Sequence, residues 1–473
     1  MNFVDRTAEL ARLDRLQPPG LAVLWGRRRV GKTRLLLQWC HRRGGLYTVA
    51  DQSAEPIQRR YLAEAIGTRL PGFADVVYPD WRALFSALAR QGGRGALGGP
   101  LILDEVPYLI AASPSLASVL QAFVDHEGRD AGILLLLAGS SQRMMHGLVL
   151  DGSAPLYGRA REAFELLPLP AGYLGEALAL PDPRAALRAH AVWGGIPWYW
   201  ELAEPFGADL DGAVDALVLD PAGPLHREPD RLLAEEQPTA TALRPLLDAI
   251  GAGAHRLSEI AARIGQPATS LSRPLGRLVE LGFVRREQPF GDSERTAKRS
   301  LYRIADPFLR LWFRVVAPRR ALLVASPRAV RQELWRQTRT ALLAEAWEEL
   351  CRQAVPRLAE SLPCAFGPAA RSWSGAGPEW DVVARSLDRA TLLLGECKWV
   401  EGPVSEELLD RTYQELLRKG RPGGGGGPGT PGARGAEATD PVYVLFVPGA
   451  PPGGISGKPY RVIGGAEVLA ASR

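Results

Sequence analysis

The stretch LAVLWGRRRVGKTRLLLQW, residues 21–39, decides the fold of the first part of this chain. An apolar run of strand length leads into Gly26, four further residues, and then Gly31, Lys32 and Thr33. The residues that follow have the apolar spacing of a helix. This is the GxxxxGK(S/T) pattern in the strand-to-helix context that it requires. The sequence therefore predicts a nucleotide phosphate site where the helix begins.

The chemistry of a phosphate loop assigns a task to each of its positions. Backbone N–H groups wrap the phosphates at the positive end of the helix dipole, and glycines let the backbone approach closely. Lys32 is expected to reach the β and γ oxygens, and Thr33 to bind Mg²⁺. Three consecutive arginines at 27–29 are tolerated because the loop binds through its backbone. We expect ATP and Mg²⁺ as cofactors, bound by Gly26, Arg29, Val30, Gly31, Lys32, Thr33 and Arg34.

A second motif, LILDEVPYLI at 101–110, ends an apolar strand in Asp104 and Glu105. After a phosphate loop, Asp104 is expected to hold Mg²⁺ through water and Glu105 to polarise the attacking water. The alternative is a strand that ends in two solvated acids. The segment LYTVADQSAEPIQRRYLAEAI at 46–66 has room for one strand and one helix between the motifs. This spacing fits the P-loop class with an extra strand between the phosphate-loop strand and the acidic strand.

Two further positions are candidates for contacts with the γ-phosphate. The apolar run ILLLLAGSS at 133–141 ends in Ser140 and Ser141, and Ser140 would sense the γ-phosphate unless this is an ordinary turn. LYGRA at 156–160 carries Arg159, a candidate arginine finger or sensor that acts within the chain or across a subunit interface. In an arginine-rich chain, a surface arginine is the alternative.

These motifs together resemble a known family. FVDRTAEL (3–10), GRRRVGKT (26–33), LILDEVPYL, LLLAGSSQRMM (135–145), LYGRA and WGGIPWYW (193–200) occur in this order in the archaeal-type ATPases of prokaryotes. That family belongs to the AAA/STAND-like branch of P-loop ATPases, and the resemblance covers roughly the first 200 residues. It implies adenine contacts near Phe3, Val4 and Arg6. It also implies a helical lid that carries Gly194, Gly195 and Pro197.

The segment HRLSEIAARIGQPATSLSRPLGRLVELGFVRRE, 255–287, has the pattern of a helix, a turn, a helix and a strand. One stripe of the second helix is apolar, formed by Leu271, Leu275, Leu278 and Val279. Pro274 is expected in the first turn, because proline deeper in a helix breaks it. The pattern resembles a winged helix-turn-helix, whose second helix enters the major groove and whose wing contacts phosphates. The predicted DNA contacts are Arg273 and Arg277 on the helix and Arg295, Lys298 and Arg299 on the wing; a protein-binding role is the alternative.

Two strand-like segments near the carboxyl end, PEWDVVARS (378–386) and TLLLGECKW (391–399), carry a third constellation. Asp381, fourteen residues and then Glu396-x-Lys398 match the PD-(D/E)xK nuclease pattern. Alternation along a strand places Glu396 and Lys398 on one face. Asp381 and Glu396 would then hold Mg²⁺, while Lys398 stabilises charge at the scissile phosphate or activates water.

A third acid of this site is expected from the helix LLAEAWEELCRQAV, 342–355, at Glu348. The alternative there is the solvated face of an amphipathic helix that also carries Glu345 and Glu349. For Asp381, Glu396 and Lys398, the alternative is an exposed salt-bridged hairpin. The segment from YRIADPFLRLWFR (302–314) onward resembles the domain of unknown function that accompanies this ATPase family, which is similar to restriction-endonuclease-like folds. One departure from the nuclease pattern is Trp380, which directly precedes Asp381 where the pattern has proline.

A chain of 473 residues is too long for one core, so we predict an α/β multidomain protein. The predicted parts are a P-loop ATPase core with a parallel sheet at 1–165, a helical lid at 166–240, a winged helix-turn-helix at 241–305, and a restriction-endonuclease-like α/β domain at 306–473. The segment RPGGGGGPGTPGARGAEAT at 421–439 cannot bury a core and is predicted to be a flexible insertion.

Composition sets the remaining expectations. A net charge of +5 permits a nucleic acid partner, and the four widely spaced cysteines argue against structural zinc. No run reaches the ~18 to 20 apolar residues of a membrane-spanning helix, and no secretory signal begins the chain, so we expect a cytoplasmic protein without membrane contact. A homo-oligomer or a protein partner is compatible with the sequence.

The function predicted from these motifs is Mg²⁺-dependent ATP binding and hydrolysis coupled to DNA binding, with DNA cleavage by the carboxyl-terminal domain. The alternatives are an ATP-driven switch or scaffold whose last domain binds without cutting, and a replication-initiator-like DNA loader.

Overall fold

The structure is a computed structural model, and it describes residues 3–93, 95–236, 240–293, 299–375, 377–422, 440–449 and 457–473. The chain divides into two compact units. The smaller unit comprises Val4–Leu169 together with the short segment Ile196–Trp198, and the larger unit holds the rest. The first boundary lies four residues beyond the predicted end of the ATPase core. The three predicted regions that follow the core therefore belong to one compact unit.

The smaller unit is an α/β layer structure. Its strands are β1 (Gly20–Trp25), β2 (Leu46–Val49), β3 (Leu101–Asp104), β4 (Leu134–Gly139) and β5 (Glu162–Glu165). Its helices are α1 (Thr7–Asp14), α2 (Lys32–Arg43), α3 (Glu55–Gly67), α4 (Trp81–Gly92), α5 (Val106–Ala112), α6 (Leu116–Asp125), α7 (Glu127–Asp130) and α8 (Gln142–Val149). Four of the strands were predicted; β5, with two glutamates in four residues, was not.

The five strands form one parallel sheet in the order β2-β3-β4-β1-β5. Strand β4 separates the phosphate-loop strand β1 from the acidic strand β3, which is the arrangement of the predicted class. The strand predicted from the segment between the two motifs, β2, lies instead at the edge of the sheet, beyond β3. Every residue of β4 is buried, which explains its continuous apolar sequence, because both faces of a parallel sheet are covered by helices. Since all strands run in one direction, the loops that follow β1, β3 and β4 meet at a single edge of the sheet.

The larger unit begins with helices. These are α9 (Leu174–Ala177), α10 (Pro183–Trp193), α11 (Pro197–Ala203), α12 (Leu210–Val214), α13 (Glu228–Glu236), α14 (Arg244–Gly251), α15 (Leu257–Ile264) and α16 (Ala268–Glu280). The first two residues of α11 belong to the smaller unit. An antiparallel hairpin follows, made of β6 (Val284–Glu287) and β7 (Leu301–Ile304). The three helices α14 to α16 and this hairpin have the predicted winged helix-turn-helix order.

The second helix of this motif corrects two expectations. Pro274 is the seventh residue of α16 and lies inside it, not in its first turn, because the helix already begins at Ala268. The helix accommodates this proline although proline removes one backbone hydrogen bond. Leu271, Leu275 and Leu278 are buried as predicted, whereas Val279 is 37% exposed and lies beside the apolar stripe.

The last part of the larger unit is a mixed sheet with helices. Its elements are α17 (Pro307–Leu311), α18 (Arg320–Ala325), α19 (Arg328–Ala354), β8 (Ala370–Ser372), β9 (Trp380–Arg385), β10 (Leu392–Cys397), α20 (Glu406–Lys419), β11 (Val442–Val447), β12 (Arg461–Gly464) and α21 (Gly465–Ala471). The strand order is β12-β11-β10-β9-β8. The hairpin β9–β10 is antiparallel, while β11 runs parallel to both β10 and β12. Of the predicted insertion at 421–439, residues 423–439 lie outside the described residues.

The predicted fold class is confirmed: a parallel-sheet core, a helix-turn-helix region and a mixed-sheet carboxyl-terminal domain are all present. Within the described ranges, no single helix has the length and apolar composition of a membrane span. The neighbouring helices α5 and α6 reach those values only when they are taken together, across a bend of 119°.

Candidate functional site

The phosphate loop joins Trp25, the last residue of β1, to Lys32, the first residue of α2. Gly26 passes so close to β5 that a Cβ atom at this position would lie 2.5 Å from the carbonyl oxygen of Leu166. Gly31 has φ 97°, in the region that favours glycine. Arg29 adopts φ 68° although it has a side chain. The loop conformation therefore depends on the two glycines that the motif supplies.

Side chains hold this loop on both sides. The Val30 side chain is fully buried, and the Val30 carbonyl accepts a hydrogen bond of 2.9 Å from Nη2 of Arg6. Lys32 Nζ donates to the carbonyls of Gly26 at 2.8 Å and Arg27 at 3.2 Å. The ammonium group thus lies across the opening of the loop, where β- and γ-phosphate oxygens are bound in P-loop sites.

The threonine of the loop meets the acid of the second motif. Thr33 Oγ1 donates to Asp104 Oδ2 at 2.9 Å, across 71 residues of sequence. Asp104 is the last residue of β3 and is 1% exposed. Its other oxygen, Oδ1, accepts from the backbone N–H of Glu105 at 2.9 Å. A hydroxyl and a carboxylate at this separation are oxygen donors of the kind that Mg²⁺ takes, with water completing its coordination.

Tyr47 is a member of this cluster that the sequence did not reveal. It lies on β2, next to β3, and its hydroxyl donates to Asp104 Oδ2 at 2.8 Å. Burial and the negative charge of Asp104 raise the pKa of Tyr47, so the phenol stays protonated and remains a donor. Tyr47 and Thr48 point to opposite faces of β2. Only knowledge of which strand pairs with β2, and in which register, could therefore have identified Tyr47 as a neighbour of Asp104.

Glu105 follows β3 in a left-handed conformation with φ 55°. Its Oε2 atom accepts from Ser140 Oγ at 2.7 Å and from the Ser140 backbone N–H at 3.2 Å. Ser140 directly follows β4, so adjacent strand ends bring these two residues together. Ser140, the predicted γ-phosphate sensor, is therefore hydrogen-bonded to Glu105, the residue predicted to activate water.

The segment Ile196–Trp198 contacts the loop from outside the core sequence. The Arg29 guanidinium lies 3.8 Å from the centroid of the Trp198 ring. Pro197 is the nearest residue to a Cβ placed on Gly31, at 3.7 Å. Of the three lid residues that the resemblance implied, Pro197 thus belongs to the smaller unit, while Gly194 and Gly195 belong to the larger one.

Arg159 lies away from its own chain's phosphate loop. Its Nε donates to Asp125 at 2.7 Å and 3.0 Å, and it precedes β5, which is parallel to β1. Arg159 is therefore at the amino edge of the sheet, whereas the loop follows the carboxyl end of β1. Six residues of strand separate these edges by roughly 20 Å. The hypothesis that Arg159 acts as an arginine finger or sensor in its own chain is therefore wrong. A role across a subunit interface stays a prediction.

Three of the five predicted DNA-contacting residues are described: Arg273, Arg277 and Arg299. Arg273 is exposed on α16, and Arg277 is partly exposed and paired with Glu280 at 2.9 Å. Arg299, at the end of the wing, forms an ion pair with Asp292. Arg295 and Lys298 lie outside the described residues.

Glu396 is the centre of the carboxyl-terminal constellation. Only 8% of its side chain is exposed, and its oxygens accept from Lys398 Nζ at 3.1 Å and Lys419 Nζ at 2.5 Å. The contact with Lys398 places both side chains on one face, as alternation predicted. Lys419 comes from α20 and was not predicted. The alternative of an exposed hairpin pair is wrong for Glu396, because β9 and β10 are interior strands and this carboxylate is buried.

Asp381 and Glu396 lie at the end of the β9–β10 ladder. Its last pair is Gly395 with Val382, and these two acids are the next residue on each strand. Between Trp380 and Val383, β9 has one residue more than its partner β8, which is a bulge. One oxygen of Asp381 accepts from the Cys397 backbone N–H at 3.0 Å.

Glu348 on α19 is affected by the negative charge of Asp381. Burial and the Asp381 charge raise the pKa of Glu348 to about 7, against the opposing effect of nearby arginines. Glu345 and Glu349, its neighbours on the helix, are not on a solvated face: each binds two or more arginines and is less than one fifth exposed. Arg352 links the predicted third acid to Asp381, because its Nη1 atom lies 3.7 Å from Glu348 Oε2 and donates to the Asp381 carbonyl at 3.0 Å.

The three acids do not assemble into a three-carboxylate metal site. Among the described residues, no group of three or more His, Cys, Asp or Glu side chains is placed to hold a metal ion. Glu396 is occupied by two lysines instead. A two-carboxylate site made of Asp381 and Glu396 stays a prediction.

Comparison with known families identifies three regions. Residues 3–171 match a family described as an ATPase domain predominantly from Archaea, residues 246–288 an IclR helix-turn-helix domain, and residues 312–411 a family of archaeal and bacterial proteins of unknown function. The predicted resemblance to archaeal-type ATPases and to their accompanying domain is thereby confirmed. The likeness to restriction-endonuclease folds stays a prediction.

Individual proteins resemble this chain along most of its length. An uncharacterised protein of Methanocaldococcus jannaschii is 27% identical over 426 residues, which cover 89% of this chain and 92% of that protein. A Walker-type ATPase of Pyrococcus abyssi superposes with a TM-score of 0.52 at 21% identity, covering 66% of this chain and 96% of that one. The ORC2 protein of Aeropyrum pernix gives a TM-score of 0.42 at 16% identity, over 72% of this chain and 96% of that one. Residues 3–171 thus match an ATPase domain, and the chain shares the fold of the Pyrococcus abyssi protein over the part that is covered.

Proposed function

We propose that this protein is a Mg²⁺-dependent ATPase that acts on DNA. The contact between Thr33 and Asp104 carries the first half of the proposal, because it brings the two predicted metal ligands within 2.9 Å of each other beside Lys32. In this assignment Mg²⁺ is held by Thr33 directly and by Asp104 through water. Mg²⁺ neutralises charge on the β and γ oxygens when it is bound.

Glu105 supplies the remaining function of the ATPase site. Its carboxylate would orient and polarise the attacking water once it leaves its hydrogen bonds with Ser140. Glu105→Gln is expected to lower the turnover of ATP by about 100-fold or more while ATP binding is retained, because the amide cannot accept a proton. Steady-state hydrolysis and equilibrium binding of a fluorescent ATP analogue measure the two quantities. Equal turnover in wild type and Glu105→Gln would refute the assignment.

DNA is the partner proposed for the helix-turn-helix. Support comes from the match of residues 246–288 to a helix-turn-helix family and from the exposed Arg273 on α16. Arg273→Ala combined with Arg277→Ala should weaken DNA binding about tenfold and lower its dependence on salt, since each arginine is expected to neutralise one phosphate. Titration of labelled duplex at several salt concentrations, with and without ATP, measures both. Unchanged binding and salt dependence would favour a protein partner.

Strand cleavage is the activity proposed for Asp381, Glu396 and Lys398. Support comes from the position of the two acids at the end of the β9–β10 ladder and from the Lys398 contact with Glu396. Nicking of plasmid DNA with Mg²⁺ or Mn²⁺ should be lost in Glu396→Ala and in Lys398→Ala. Nicking that persists in both would exclude this site.

A switch or scaffold without cleavage is the second candidate, and the Lys419 contact favours it. A second lysine on Glu396 provides the positive charge that a metal would otherwise bring. In that case the wild-type protein would hydrolyse ATP and bind DNA but leave plasmid intact with either metal.

A further inference from the structure

An arginine-lined cleft of about 680 Å³ lies within the larger unit, away from the phosphate loop. Its walls are strand β6 of the hairpin, the carboxyl-terminal end of α19 and the edge strand β8. Five arginines line this cleft, here called the arginine cleft: Arg285, Arg286, Arg352, Arg357 and Arg371. Two carboxylates, Glu287 and Glu349, are also in the lining, so cations outnumber anions by five to two.

Both lining carboxylates are already paired with arginines. Glu349 binds Arg285 and, at 2.6 Å, Arg310, which lies behind the lining. Glu287 binds Arg285 at 2.8 Å and Arg303 at 3.2 Å. Burial opposes ionisation, but the arginines prevail and hold the pKa of both glutamates below the usual range. The acids therefore fix the arginines in position and leave a positive surface.

Hydrogen bonds and ion pairs hold the walls of the arginine cleft in place. The backbone N–H of Phe290, just beyond β6, donates to the carbonyl of Arg371 on β8 at 2.8 Å, which fixes one wall to the other. Arg371 also reaches Glu379 at 3.1 Å. The Nη2 atom of Arg285 is buried and has no hydrogen-bond partner among the described residues. A buried guanidinium N–H without a partner is costly, and an anion in the cleft would satisfy it.

The inner end of the cleft adjoins the acid pair. Arg352 Nη1 donates to the backbone carbonyl of Asp381 at 3.0 Å and lies 3.7 Å from Glu348 Oε2. An anion bound by Arg352 would thus be next to the strand that carries Asp381. The outer end is formed by Arg286 on β6, within the segment that matches the helix-turn-helix family.

We propose that the arginine cleft binds the phosphodiester backbone of DNA and leads it from the wing to Asp381. Planar guanidinium groups match phosphate oxygens in pairs, and a row of them along a cleft suits a repeating phosphate. DNA is favoured over an acidic peptide because the outer wall is the wing of the helix-turn-helix itself. This inference rests on the DNA-binding role proposed above but concerns arginines that were not among the predicted DNA contacts.

The test compares two double variants that remove equal charge. Arg286→Ala with Arg357→Ala removes two exposed arginines of the cleft, and Arg336→Ala with Arg461→Ala removes two exposed arginines of the same unit outside it. With labelled duplex DNA, the cleft variant is expected to bind about tenfold more weakly and to lose about 2 from the slope of log Kd against log salt, since each phosphate contact contributes about 0.9. The control variant is expected to match wild type.

A crosslinking experiment checks position independently of affinity. Gln353 lines the cleft, and Gln337 lies on the same helix outside it. A photoreactive benzoylphenylalanine at 353 should crosslink to labelled DNA, and the same residue at 337 should not. Crosslinks of equal yield at both positions would overturn the proposal.

The remaining outcomes separate the two proposals. If the wild-type protein hydrolyses ATP but binds no DNA, the DNA role is wrong and this inference falls with it. If wild type binds DNA but the cleft variant retains the same affinity and salt slope, the inference alone is wrong. If poly-glutamate binds wild type more tightly than DNA and the cleft variant loses it, the cleft takes acidic peptides instead.

Discussion

The phosphate loop and the Glu396 constellation both lie where strands end, yet they were built in different ways. At the phosphate loop, strand directions alone bring Thr33, Asp104 and Glu105 to one edge, and the backbone provides the binding surface. At Glu396, side chains from a hairpin and two helices meet, and two ammonium groups bind the carboxylate. Acids have protein partners in both sites, but Asp104 and Glu105 are bound by neutral hydroxyl and N–H groups, whereas the charge of Glu396 is matched by lysines. The comparison shows that a phosphate loop leaves the charge of its acids for a cation, whereas a side-chain cluster can neutralise its own acid.

The strongest test of this contrast is Lys32→Ala. Loss of the only ammonium in the motif should lower ATP turnover by about 100-fold or more, since interactions with transferring phosphoryl oxygens are large in a site that excludes water. Coupled-enzyme assays at saturating ATP measure it. Asp381 and Glu396 belong to the other unit, so the unfolding transition of that unit should be unaffected. If Lys32→Ala turns over ATP within tenfold of wild type, the phosphate loop is not the site of ATP hydrolysis.

The next largest effect is expected at Glu348. Its pKa is about 7 in the folded protein, above the ordinary value of 4.5, so the folded state binds its proton more tightly. Its contribution to stability is present at low pH and is lost as pH rises through the window from 4.5 to about 7. Glu348→Gln should therefore raise the free energy of unfolding by about 2 kcal/mol at pH 8. Urea unfolding measured at pH 4.5 and pH 8 gives the difference.

The outcome at Glu348 also tests whether a cation completes the carboxyl-terminal site. If Mg²⁺ binds Asp381 and Glu396 and Glu348 is a further ligand, adding Mg²⁺ at pH 8 should stabilise wild type more than Glu348→Gln. A gain in stability from Glu348→Gln that is equal at both pH values would contradict the raised pKa.

A smaller loss is expected from Lys419→Met. Glu396 then loses a charge-assisted hydrogen bond in a buried position, which should lower the free energy of unfolding by about 1 to 2 kcal/mol. Lys458→Met is the matched control, because Lys458 pairs with Asp410 and Glu406 at the surface of the same helix. Surface pairs contribute less, so the control should be the milder variant. Denaturation curves measure the free energy of unfolding of both variants. Equal values for Lys419→Met and Lys458→Met would mean that the Lys419 hydrogen bond to Glu396 does not stabilise the fold.

The smallest effect is expected from Arg159→Ala. This side chain binds Asp125 at the far edge of the sheet, so ATP turnover at high dilution should stay within about twofold of wild type. Turnover that rises with protein concentration in wild type and no longer rises in the variant would show that Arg159 serves a neighbouring subunit. A tenfold loss at every concentration would contradict the placement described above.

Sequence reasoning reached the parts of this molecule that depend on local patterns. The strands β1, β3 and β4, the loop at Gly26–Thr33 and the order of the helix-turn-helix follow from apolar runs and spacing. Short strands were missed where polar residues interrupt them, as in β5, or where they lie at a sheet edge, as in β8 and β12. Pro274 was misplaced because steric cost alone did not determine the start of α16.

Contacts between distant side chains were the other gap. Tyr47 reaches Asp104, Lys419 reaches Glu396 and Arg352 reaches Glu348. These side chains come from elements whose rotation and pairing no local pattern specifies. The roles of Glu345 and Glu349 were misjudged for the same reason, because their arginine partners come from the hairpin and from α17.

The bond between Phe290 and Arg371 has a practical meaning for work with fragments. It crosses the boundary at residue 305 that the sequence predicted between two domains, and Arg285 crosses it again to Glu349. A recombinant helix-turn-helix fragment that ends at this boundary would contain Arg285 but not Glu349, its ion-pair partner. Expression of Pro170 onward as one piece preserves both links, so fragment design must treat the hairpin and the final sheet as one folding unit.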